Sequence, residues 1–118
     1  MQESMQGIKR SYKCAELSSN NIGEKVTVMG WVQKRRNLGS LLFIDLRDVS
    51  GIVQIMFDET KSDSAVFEKA NSIRSEFVIA VTGTVVKRSG AVNKDLKTGE
   101  IEIEAESLRI LSASDTPP

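Results

Sequence analysis

From Lys25 onward apolar and polar residues take turns. Val26, Val28 and Val32 fall on one side of the chain, and Thr27, Met29, Trp31 and Gln33 on the other. A period of two sends successive side chains to opposite faces of a strand, so this segment is predicted as one, bending at Gly30. It closes on three cations, Lys34, Arg35 and Arg36, ahead of a tight turn at Gly39. A second strand is predicted over residues 41–47. Leu42, Ile44 and Leu46 form its core face because no charge interrupts them, while Leu41, Phe43, Asp45 and Arg47 point the other way. Val49-Ser50-Gly51 reads as a hairpin turn, with glycine supplying the positive φ. A third strand over residues 52–57 sets Val53, Ile55 and Phe57 against Ile52, Gln54 and Met56.

The period then changes. Val66, Phe67, Ala70 and Ile73 recur at helical spacing between Asp63 and Arg74, with Ser62 or Asp63 as the N-cap. Residues 76–87 return to strand, and residues 88–98 are polar, charged and Gly-containing, hence a long loop or irregular hairpin. The cleanest alternation comes last, with Ile101, Ile103 and Ala105 inward and Glu100, Glu102, Glu104 and Glu106 outward. The resulting order, β-β-β-α-β-β, predicts an all-β fold with one helix. It is that of an OB-fold, a five-stranded Greek-key barrel with its helix between strands 3 and 4 and its ligand face on strands 2 and 3. An SH3-like barrel is the main rival, but it leaves the helix unexplained. Residues 1–12 are predicted as a flexible arm, 13–112 as the barrel domain, and 113–118 as the start of a linker to a further domain.

Composition narrows the chemistry. The 118 residues suit one domain, and sixteen cations balance sixteen acids, so nucleic-acid binding must come from a local cluster rather than a global field. With no histidine and a single cysteine, Cys14, intramolecular disulfides, zinc sites and His-based acid–base catalysis have no residues to use. Cys14 is expected to be inert and partly buried. No apolar run is long enough to span a bilayer and no signal-peptide pattern opens the chain, so the expected home is the cytoplasm, with no membrane partner. Nor is there a Walker-type glycine loop or a nucleophile paired with a base. The chain reads as a binding module, not a catalyst.

Phe43 and Gln54 carry the functional signal. On the predicted ligand face, an exposed ring gives a base a surface to stack on, and a Gln amide offers a donor and an acceptor to its edge. Lys34, Arg35 and Arg36 stand at the mouth of that face, where guanidinium forks suit phosphate oxygens. The plainer readings are a packed barrel residue for Phe43 and a solvated charge run for the cations. The glutamate ladder reads by default as the wet face of an edge strand, with one carboxylate free to accept from a base.

The run Gly30-Trp31-Val32, then 35–48 (Arg-Arg-Asn-Leu-Gly-Ser-Leu-Leu-Phe-Ile-Asp-Leu-Arg-Asp), then Gly51-Ile52-Val53-Gln54 resembles the N-terminal anticodon-binding domain of bacterial aspartyl-tRNA synthetases. Ser75-Glu76-Phe77-Val78, Val81-Thr82-Gly83-Thr84-Val85 and Thr98-Gly99-Glu100-Ile101-Glu102-Ile103 extend the resemblance over about residues 8 to 115. Lysyl- and asparaginyl-tRNA synthetases share the fold and a similar Phe and Gln placement. A free-standing single-strand-binding OB module and a protein-interaction module are the readings from other classes. The resemblance implies that the partner is aspartate tRNA, gripped at its anticodon stem-loop. Phe43 would stack under the central uracil, Gln54 would contact a base edge, Arg36 would take part in loop recognition, and Glu102 would help read the first anticodon base. Asn37 departs from the family's usual aspartate, and Lys34 stands where Arg is frequent. The resemblance also implies a homodimeric parent enzyme whose further, ATP- and magnesium-dependent domain makes aspartyl-adenylate. For the chain itself no cofactor is expected.

Overall fold

The computed structural model describes residues 3–4 and 6–113, so the linker reading, apart from Ala113, lies outside the described residues. Five strands, β1 (Lys25–Asn37), β2 (Leu41–Asp48), β3 (Gly51–Asp58), β4 (Val78–Lys87) and β5 (Ile101–Ser112), close a barrel in the order β1-β2-β3-β5-β4. Helix α1 (Ser64–Asn71) lies between β3 and β4, as the pattern predicts. Its N-cap is Asp63, whose carboxylate accepts from the Ala65 N–H at 2.9 Å and satisfies a donor that the first turn leaves open. Phe67 and Ala70, followed by Ile73, bury its apolar face against the barrel.

The predicted core faces are the observed ones. Leu42, Ile44 and Leu46 meet Val53, Ile55 and Phe57 across the β2–β3 pairing, and Ile101 and Ile103 join them from β5. β1 is long because it serves two neighbours, pairing with β4 up to Trp31 and with β2 from Trp31 onward. At Gly30, where the bend is predicted, a Cβ would stand 2.2 Å from the Arg47 carbonyl oxygen, so only glycine lets the two backbones approach.

The described residues of the segment predicted as a flexible arm make contacts along the barrel. Glu3 pairs with Lys69 at 2.9 Å and accepts from the Ile110 N–H at 2.8 Å, and Tyr12 donates to Glu24 at 2.9 Å. Cys14 is fully buried, not partly, and burial pushes its thiol pKa up, which keeps it protonated and unreactive. Its backbone N–H donates to Asp48 at 2.8 Å and ties the N-terminal segment to the β2–β3 turn.

Candidate nucleic-acid interface

The outer faces of β1, β2 and β3 and the 88–98 loop enclose an open cleft of about 930 Å³. Its shape depends on one irregularity. Pairing between β1 and β2 shifts between Val32 and Lys34, so Gln33 is an extra residue on β1. The bulge resets the alternation and so decides which members of the basic run face the cleft. Lys34 and Arg36 now stand opposite Asp45 and Phe43 and line the cleft, while Arg35 and Asn37 stand opposite Ile44 and Leu42 and turn away.

Arg35 instead donates to the Asn71 carbonyl at 3.4 Å, at the C-terminal end of α1, where the helix dipole favours a cation. Asn37 donates to the Asn71 side chain at 3.2 Å and accepts from the Gly39 N–H at 2.9 Å. An aspartate accepts the second bond but cannot make the first, so asparagine here links the β1–β2 turn to the helix. Three cations at one mouth become two in the cleft and one behind it.

Phe43 differs from the exposed ring expected of it: only 8% of it is accessible. The Arg36 guanidinium lies 5.2 Å from its ring centroid, and Met56 is its neighbour across the β2–β3 pairing. The ring faces the cleft, but under a cation lid.

Gln54, 3% exposed, is also held rather than free. Its Oε1 accepts from Arg88 Nη2 at 2.8 Å and its Nε2 donates to Glu102 Oε1 at 2.8 Å. Because guanidinium only donates and carboxylate only accepts, the two partners fix which end of the amide faces which way. Glu102 is fully buried, which corrects the outward ladder: only Glu100, Glu104 and Glu106 reach the surface. It stands behind Gln54 and Ser89, whose hydroxyl donates to it at a long 3.2 Å, and its Oε2 has no partner. Arg88 Nη1 is likewise buried and unpaired. A buried carboxylate oxygen without a donor and a buried donor without an acceptor, at the two ends of one network through Gln54, are costly unless a ligand supplies both.

Arg88 was not singled out by sequence. It opens a loop without periodicity, where nothing assigns a facing direction, and its only signal is a cation directly after a strand. The loop's exposed rim includes Val92 and Lys94, and it is anchored by Thr98, whose hydroxyl donates to the Ile52 carbonyl at 2.7 Å.

The charge pattern of the molecule favours an anion at the cleft. The ion pairs among the described residues join Lys25 to Glu106, Lys61 to Glu104 and Lys69 to Glu3. Lys34, Arg36, Arg88 and Lys94, all lining the cleft, are in none of them. With Asp45 and Asp95 as the acids of the same lining, cations outnumber acids there four to two, so zero net charge coexists with a locally basic face. No three metal-ligating side chains stand together among the described residues, and no helix there is long and apolar enough to cross a membrane.

Barrel topology and cleft together define a class, the OB-fold module, whose ligand face is built on strands 2 and 3 with the adjoining loops. The chain belongs to the tRNA anticodon family of OB-fold nucleic acid binding domains, whose profile matches residues 26–111. It is 66% identical, over all its 118 residues, to the aspartate–tRNA ligase of Agathobacter rectalis and 67% identical to that of Ruminiclostridium cellulolyticum. An aspartate–tRNA(Asp/Asn) ligase of Lachnoclostridium phytofermentans is 59% identical. In each case the chain spans only 20% of the relative's length. Among solved structures, the aspartyl-tRNA synthetase of Entamoeba histolytica superposes with a TM-score of 0.81 at 21% identity, covering 96% of this chain and 23% of that one. The asparaginyl-tRNA synthetase of Pyrococcus horikoshii gives 0.75 at 29% identity, covering 91% and 23%.

Proposed function

We propose that this chain is the anticodon-binding domain of an aspartate–tRNA ligase and grips the anticodon loop of aspartate tRNA. The observation that carries the proposal is the Arg88–Gln54–Glu102 network, which leaves one donor and one acceptor unpaired beside a ring. A generic strand holder needs rings and cations but no oriented hydrogen-bond set. A reader of bases needs both.

The steps follow from strengths. Arg36 over Phe43 is a cation–π contact near the surface, worth about 0.5–1 kcal/mol. A stacked base is worth about 1–3 kcal/mol, so the central base displaces the guanidinium, which moves to a phosphate. Gln54, held by its two partners, presents a fixed edge. The first base displaces the weakly held Ser89 hydroxyl and brings its N–H groups to Glu102, while Arg88 Nη1 meets a base acceptor. Lys34 contributes charge to the backbone. Arg35 and Asn37 act indirectly, by fixing the β1–β2 turn that forms one lip of the cleft.

The ligase as a whole would attach aspartate using ATP and magnesium bound outside these residues, would act as a homodimer, and would work in the cytoplasm. Footprinting of aspartate tRNA on this chain tests the proposal. Protection confined to the anticodon loop is expected. Protection spread over the stem and acceptor end, or none, contradicts it.

A further inference from the structure

Past Asp45 the outer face of β2 runs on to Arg47, and the surface dips again into a groove of about 180 Å³ between Arg47 and Lys97. Asp95 lines both depressions, so the groove adjoins the cleft. Arg47 Nε donates to the Oε1 of Gln33, the bulge residue. That bond fixes the guanidinium plane and leaves both terminal nitrogens without a hydrogen bond among the described residues. Neither Arg47 nor Lys97 is in an ion pair there, and Lys97 is exposed. The hydroxyl of Ser50, which also lines the groove, is committed to Asp48 at 2.6 Å.

An oriented guanidinium fork and a lysine lining one groove are suited to a phosphodiester, which accepts two parallel N–H bonds and attracts the second charge. Asp95 opposes an anion, but its exposed carboxylate is screened by solvent and salt. We propose that this groove is a phosphate subsite, which holds the RNA backbone of a nucleotide next to those whose bases enter the cleft. The proposal rests on the anticodon reading of the cleft and extends it by one backbone contact. The bulge at Gln33 then has two consequences: it aims Lys34 and Arg36 into the cleft, and it supplies the acceptor that orients Arg47.

The test titrates the 118-residue chain and its Lys97→Ala and Asp95→Asn variants with a stem-loop bearing GUC and one with the central U replaced, over a range of salt. Lys97→Ala should weaken binding to both RNAs by the same factor and make the log–log salt slope shallower by about 0.7, the contribution of one single-strand phosphate contact. Asp95→Asn should tighten binding to both. Both positions are exposed, so melting temperature should not move. If the unaltered chain prefers GUC but Lys97→Ala leaves affinity and slope unchanged, the subsite is wrong and the anticodon reading stands. If Lys97→Ala shifts the slope but the unaltered chain shows no preference, the subsite stands and the reading of bases fails. Absence of RNA binding by the unaltered chain overturns both.

Discussion

Arg36 and Phe43 show how a residue's role separates from its exposure. Alternation along β2 correctly puts Phe43 opposite Leu42 and Ile44, yet no pattern reveals that a cross-strand arginine covers the ring. Phe43→Ala should weaken binding of an anticodon stem-loop by about 1–3 kcal/mol, measured by fluorescence titration. It should also lower the melting temperature, because the ring is packed. Unchanged affinity would remove stacking from the account. Gln54 and Arg88 make a different prediction, one of selectivity. Arg88→Ala leaves Gln54 Oε1 without its donor and lets the amide turn, so preference between base-substituted loops should fall more than affinity for any one of them. An equal loss for every loop would make Arg88 a phosphate contact only. Glu102 was legible as a candidate through its family resemblance alone, since strand alternation assigned it to the wet face with its neighbours. The loop that opens with Arg88 and Ser89 covers it, and a segment without periodicity gives no warning of what it buries.

Among the elements, five strands and one helix follow from period and turn chemistry because each is a local property of the chain. The Gln33 bulge does not, since two residues opposing one is decided by the partner strand. Read as one run, the three cations share a single address at the cleft mouth, and Asn37 joins them only through the family resemblance; the bulge decides that Lys34 and Arg36 face the cleft and that Arg35 and Asn37 do not. The docking of the N-terminal arm was hidden for a similar reason: polar contacts to distant strands leave no periodic trace. Two predictions belong here. A Cβ at Gly99 would lie 1.8 Å from the Asn93 carbonyl oxygen, so Gly99→Ala should force the 88–98 loop open and weaken RNA binding severalfold, while helix and strand circular dichroism persist. Retained affinity would show that the loop does not shape the cleft. At the β2–β3 turn, burial acts to raise the Asp48 pKa, but bonds from Ser50 and from the Cys14 N–H outweigh it and hold the carboxyl below its usual range. A lowered folded value means stabilisation that is complete above the unfolded value of about 3.9 and is lost as pH falls through the folded value. Denaturant midpoints should therefore drop in that acid window. Asp48→Asn should cost about 1–3 kcal/mol at neutral pH and flatten the acid dependence. An unchanged acid limb in the variant would assign the effect to other carboxylates, Glu3 among them.

For the molecule as a whole, the balance of charge counts less than its distribution. The paired cations contact acids of β5 and the N-terminal segment, and four cations outside those pairs, Lys34, Arg36, Arg88 and Lys94, line the cleft. Two to four phosphate contacts there predict a log–log salt slope of about −1.4 to −2.8. A slope near zero would mean that RNA is held without its backbone. The central claim is that this face reads bases. Its most direct measurement is the affinity of the chain for a seventeen-nucleotide anticodon stem-loop carrying GUC against the same loop with the central U replaced. Clear preference for GUC is expected, concentrated in Phe43, Gln54 and Glu102. Equal affinity for the two loops would contradict it and leave the cleft a holder of single strands.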